Sequence, residues 1–265
     1  MKHLLLLATS LSIAASLSAA VEIDFDNATD LDQFVRNSPD GPGFTPVVGA
    51  TAGLGGAGGV DLSSADRREA FVYQSGFALT TGTPYAVSGY FQQTGDTNFA
   101  GVGFTDSVSS VGGYAMDPMF LLNSSISEVY LANYTTVEQD WSRYNTFSDV
   151  LEAGDWYYSS LSLLYIGADS FTVDILLQRS AADGTLGDVL FSSSYTLDNP
   201  ALAGAENLFA FFYVDAGGDG TPVTAFDSFR AGEVAPVVPE PAETGLALGL
   251  AGLFGLGLRR WRKQA

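Results

Sequence analysis

From Ser170 to Gln178 apolar and polar side chains alternate: Phe171, Val173, Ile175 and Leu177 stand against Thr172, Asp174 and Gln178, with Leu176 the one exception. A period of two sends successive side chains to opposite faces, so this stretch is predicted to be a strand with one face buried and one wet. Similar runs recur at 70–79, 84–92, 98–104, 127–133, 156–166 and 188–197. Leu208 to Val214 is apolar throughout and reads as a central strand covered on both faces. Turn chemistry separates the runs, as at Thr81-Gly82-Thr83-Pro84, Asp183-Gly184-Thr185 and Gly217-Gly218-Asp219-Gly220. No convincing helical period occurs outside the two ends. Roughly eleven strands in one domain predict an all-β chain folded as a single β-sandwich.

The ends follow other rules. Residues 1–20 carry Lys2 and His3, an apolar stretch from Leu4, and small residues at Ser18 and Ala20. This is the layout of a secretory signal peptide cut before Val21, and Thr9, Ser10 and Ser12 interrupt it too often for a permanent membrane helix. The sandwich is predicted over 21–235 and a tail over 236–265. Within the tail, 244–258 has no charge and is expected to form a single transmembrane helix. Its length of about 22 Å falls short of a bilayer core of about 30 Å, which suits a transient anchor. Arg259, Arg260, Arg262 and Lys263 would keep the last residues in the cytoplasm.

Val238-Pro239-Glu240-Pro241, followed by a short apolar segment and an Arg-rich end, resembles the PEP-CTERM sorting signal. The resemblance covers the tail alone. It implies export by a Gram-negative bacterium, transient residence in the inner membrane and recognition by an exosortase-type membrane protease. Cleavage near the motif would then deliver the protein to the cell surface or the extracellular matrix, in association with exopolysaccharide.

Charge narrows the partners. Between Val21 and Val238 six arginines, with no lysine, face 28 acids, a formal charge of −22. A field of that sign repels phosphate backbones and anionic lipid, which argues against nucleic acid and suits divalent cations. The chain has no cysteine, and its one histidine, His3, leaves with the signal peptide. Disulfides, thiolate nucleophiles, Cys or His zinc sites and a histidine-based serine triad are thereby excluded from the mature chain.

An opening Asp-Phe-Asp strand, Gly154-Asp155-Trp156 before a long middle strand and a closing Phe226-Asp227-Ser228-Phe229 resemble the concanavalin-like jelly roll of laminin-G and legume-lectin modules. That resemblance, which carbohydrate-binding modules of the galactose-binding jelly-roll type share, implies a jelly-roll β-sandwich whose relatives often bind sugars. Glu22-Ile23-Asp24-Phe25-Asp26 also resembles the E-x-D-x-E strand of laminarinase-type glycosidases, with Asp in place of the final Glu and a terminal position in place of a central one. Strand alternation would set its three carboxylates on one face, either as a catalytic group or as the solvated side of an edge strand. Structural calcium is the other candidate, since first and last strands often adjoin in jelly rolls. Asp24 or Asp26 would then meet Asp227, with Asn27 or Asp30 nearby, and Asp215 and Asp219 offer a second loop.

For ligand contact, 133–155 lacks a clean strand period and reads as a long loop. It offers Tyr134, Trp141, Arg143 and Tyr144 beside Glu138 and Asp140, the flat faces and hydrogen-bonding groups that sugar rings require. Trp141 and Tyr144 would alternatively be staples that pack the loop down onto the sandwich. Residues 38–62, rich in glycine, read as a mobile loop, and no Lys or helix follows to make it a phosphate cradle. Asn27, Asn123 and Asn133 match an N-glycan acceptor pattern, coincidental in a bacterium. The whole predicts a surface or matrix protein whose sandwich binds or organises extracellular polysaccharide. A carboxylate-dependent glycan hydrolase and a structural or adhesive protein without sugar affinity are the alternatives.

Overall fold

The structure is a computed structural model and describes residues 21–37, 46–49, 51–62, 68–93, 99–109, 118–126, 128–135, 141–147, 151–215 and 225–234. The segments expected to be a signal peptide and a sorting tail, including Val238 to Pro241, the 244–258 segment and the four terminal basic residues, lie outside them. No helix among the described residues is long and apolar enough to cross a membrane.

Among the described residues sixteen strands follow one another: β1 (Val21–Ile23), β2 (Phe34–Asn37), β3 (Val47–Gly49), β4 (Gly59–Asp61), β5 (Glu69–Tyr73), β6 (Phe77–Ala78), β7 (Pro84–Gln92), β8 (Phe99–Thr105), β9 (Met119–Ser124), β10 (Val129–Tyr134), β11 (Trp141–Phe147), β12 (Trp156–Gly167), β13 (Ser170–Ser180), β14 (Leu186–Asp198), β15 (Asn207–Asp215) and β16 (Ala225–Glu233). The one α-helix described, α1 (Pro200–Ala203), is a single turn between β14 and β15. Two antiparallel sheets result. Sheet I runs β14-β13-β12-β7-β16-β4-β3 with β1 beside β16, and sheet II runs β11-β10-β9-β8-β15-β5-β2 with β6 beside β15.

The long strands of sheet I pair in a register that stacks their apolar positions. Val87, Leu161 and Ile175 lie in one row across β7, β12 and β13, and Tyr85, Leu163 and Val173 in the next. They meet Val102, Phe104, Phe120, Leu122 and Phe212 of sheet II in one buried core. Phe212 stacks on Phe71 and Phe226 at centroid distances of 4.5 and 4.2 Å, joining the sheets. The outer positions of β12 and β13, among them Ser160, Ser162 and Asp174, are partly or fully exposed, which is why alternation reveals these strands.

Sheet II is covered on both faces. Its opposite side carries a second buried cluster of Val72, Met119, Leu121, Tyr130, Phe211 and Tyr213. The 106–109 segment reaches this side, where Asn37 Nδ2 donates to the Val108 carbonyl at 2.7 Å.

Three expectations are corrected. Residues 133–155 are more than a long loop, because β11 pairs with β10, Tyr134 opposite Trp141 and Ala132 opposite Arg143. The glycine-rich stretch supplies β3 and β4, which extend sheet I. Glu22 to Asp26 do not form one alternating strand: β1 ends at Ile23, and Phe25 takes a left-handed φ of 53° and turns its ring into the core.

Candidate functional site

Where the edges of the two sheets meet, β11 and β14 leave the sandwich open. An open cleft of about 470 Å³ lies there, lined by Asn133, Thr135, Ser142, Tyr144, Thr196, Leu197 and Asp198. Ser142 sits opposite Asn133 and Tyr144 opposite Leu131, so the register of β10 and β11 directs both positions toward the space between the sheets. Tyr144 is half-buried and meets Tyr195 of β14 at a centroid distance of 5.7 Å and an angle of 49°.

The walls are tied together by one buried amide. Asn199 is fully buried; its Nδ2 donates to Asn133 Oδ1 at 2.9 Å and to the Tyr134 carbonyl at 3.0 Å. Its Oδ1 accepts from the Leu202 N–H, capping α1, whose first residue is Pro200. Asn133 Nδ2 in turn donates to the Asp198 carbonyl at 3.0 Å, and Ser170 Oγ donates to Asp198 Oδ1. Strands from opposite sheets are thus fixed relative to each other through side chains, which preorganises the cleft.

Of the four residues expected to meet a ligand, Tyr144 lines the cleft. Tyr134 lies on the other side of β10, against the second cluster. Trp141 and Arg143 fall in β11, and their side chains, like Glu138 and Asp140, lie outside the described residues.

At the other end of sheet I the acids gather. β1 pairs with β16, Val21 opposite Ala231, and Arg230 forms an ion pair with Glu22 at the sheet edge. Asp227 follows Phe226 at a β-bulge whose Ser228 has a φ of 51°. Its side chain is covered by the 53–58 loop: Oδ2 accepts the Leu54 N–H at 2.9 Å and Oδ1 accepts the Ser228 N–H at 2.6 Å. Burial pushes the Asp227 carboxyl up to about 6; the two N–H donors pull it down, and the charges of Asp24 and Asp26 add to the rise. Asp24 and Asp26 are therefore within electrostatic reach of Asp227, but both are exposed. Among the described residues no three acids converge in a metal-holding group. Asp215 accepts from the Tyr213 hydroxyl at 3.3 Å, and Asp219 lies outside the described residues.

No family model and no curated protein matches the chain. Solved structures do. The globular domain of T. cruzi calreticulin superposes with a TM-score of 0.52 at 12% identity, covering 92% of this chain and 99% of that one. The seed lectin of Lotus tetragonolobus gives 0.51 at 7% identity over 82% of this chain and all of that one. The carbohydrate recognition domain of Emp46p gives 0.52 at 7% identity over 84% and 99%.

The fold is a lectin-like jelly roll.

In this jelly roll, sequence reasoning missed Asn133 as a site residue, together with Ser142, Thr196, Asp198 and Asn199. They come from β10, β11 and the end of β14, up to 66 residues apart, and only pairing brings them together. One local signal was readable: Asn199-Pro200 is a helix N-cap followed by a proline at the first helical position.

Proposed function

We propose that this protein binds extracellular polysaccharide in the cleft between β11 and β14, as an exported surface or matrix protein. The observation that carries the reading is the cleft itself, where an aromatic pair and fixed polar groups stand at an open inter-sheet edge. A ring face of Tyr144 and the hydroxyls of Ser142 and Thr196 match the apolar faces and rim hydroxyls of a pyranose. Lectins and a carbohydrate recognition domain share the fold, which supports the reading without carrying it.

The test is binding of the full chain to purified bacterial exopolysaccharide. Saturable binding reduced about 10-fold by Tyr144→Ala is the expected result, the size of one lost aromatic contact of about 1.4 kcal/mol. Absence of binding would leave the structural, non-lectin reading.

Delivery is proposed to follow from the tail. The Val238-Pro239-Glu240-Pro241 motif, the apolar 244–258 stretch and Arg259, Arg260, Arg262 and Lys263 form an exosortase-type sorting signal, removed once the sandwich is outside the inner membrane. An intact extracellular mass that ends near Pro241 is expected; a mature form retaining Leu246 to Ala265 would refute cleavage.

Calcium is proposed as a stabiliser of the acidic end rather than a ligand-binding group. The three acids do not converge as a ready-made cage, so Asp24 and Asp26 would take a cation on their exposed carboxylates, with water completing its shell, and lower the repulsion felt by Asp227. A higher melting temperature in millimolar calcium than in chelator, lost in Asp26→Asn, is expected. Identical melting in both would remove the cation.

A further inference from the structure

The cleft's chemistry also bears on which polysaccharide it takes. We propose that the ligand is a cationic glycan, one bearing free amino groups, and that Asp198 receives the ammonium. This rests on the reading of the cleft as a glycan site and adds the charge class of the sugar.

Asp198 is the only formally charged side chain among the described residues lining the cleft. It is exposed, yet held from two directions: its carbonyl accepts from Asn133 and its Oδ1 from Ser170. Its Oδ2 has no partner among the described residues. A carboxylate fixed through one oxygen and open at the other is a preorganised acceptor for a charged N–H donor.

The rest of the lining points the same way. The amide of Asn133 is consumed internally, donating to Asp198 and accepting from Asn199. No described lining residue is a lysine or arginine, so nothing among them would pair with a uronate or sulfate. Tyr144, which lines the cleft, brings an aromatic ring that attracts an ammonium as well as C–H edges. Over residues 21–238 as a whole, six arginines stand against 28 acids, a net field that attracts cations and repels acidic polymers.

The experiment compares the full chain's affinity for four probes in 150 mM salt: a glucosamine hexamer, its N-acetylated counterpart, an oligouronate and polylysine. The glucosamine hexamer is expected to bind at least 10-fold tighter than the acetylated one, and the oligouronate not at all. Asp198→Asn is expected to bring the glucosamine-to-acetylated ratio to parity. Asp174→Asn, an exposed acid on β13 outside the cleft, is expected to leave that ratio unchanged. Far-UV circular dichroism and melting check that Asp198→Asn is folded.

Equal binding of both hexamers by the wild-type chain would overturn the amine assignment and leave the glycan site standing. Loss of the ratio in both variants, or polylysine binding as tightly as the hexamer and indifferent to Tyr144→Ala, would reduce the effect to bulk charge and overturn it too. Binding of none of the sugars would overturn the assignment together with the glycan reading beneath it.

Discussion

Asp227 is a carboxylate whose surroundings favour its protonated form. Its folded pKa of about 6 lies above the ordinary value of 3.8. The folded state therefore holds the proton more tightly than the unfolded chain, and stability falls as pH rises from about 4 through about 6. In chelator, the wild-type chain is expected to lose up to about 3 kcal/mol more across that window than Asp227→Asn, the equivalent of about two pKa units. Parallel pH profiles from urea titrations would contradict this. The glycine above Asp227 is equally specific: a Cβ on Gly53 would fall 1.8 Å from the Gly58 carbonyl oxygen and 2.5 Å from Asp227 Oδ2. Gly53→Ala is expected to cost about 1–3 kcal/mol in the same titration and to lift the loop from the carboxylate.

Between elements, Asn199 couples the end of β14 to β10 and starts α1. Asn199→Ala leaves the Asn133 Oδ1 and Leu202 N–H without their buried partner, and a stability loss of about 2–4 kcal/mol is expected. Glycan affinity is expected to fall with it, because Asn133 loses the donor that orients its amide toward the Asp198 carbonyl. Full affinity in that variant would separate the network from binding. The elements also explain what was legible in the chain. β7, β12 and β13 have one wet face, so alternation exposes them. β9 reads Met-Phe-Leu-Leu-Asn-Ser, buried throughout, and has no period to find. β11 is hidden for another reason: its Trp-Ser-Arg-Tyr-Asn-Thr-Phe mixes polar and aromatic residues at a sheet edge, where pairing with β10 rather than burial makes the strand. Tyr144 was visible as an aromatic in a suspicious segment, but the residues that complete its cleft come from strands whose adjacency no local pattern encodes.

At the scale of the molecule, the described residues form two sheets of eight strands each around a shared core, and the paired β1 and β16 place the first and last described strands side by side. A carboxylate buried within this frame, Glu69, is matched by Arg36 of the neighbouring strand. Arg36→Met is expected to destabilise the fold by about 3–5 kcal/mol, since it strands a charge with no solvent, whereas replacing both partners by apolar residues costs less. A single variant as stable as the double would contradict this in a double-mutant cycle. The sandwich was readable from strand patterning, and its superposition on a solved lectin extends over most of the chain. The edge cleft was not, because it exists only where two separately paired sheets come to an end beside each other. Sugar binding at this edge is put to the test by titrating purified exopolysaccharide into the full chain and its Tyr144→Ala variant. Saturable binding weakened about 10-fold by the substitution is the result expected; equal binding by both chains, or none by either, would contradict it.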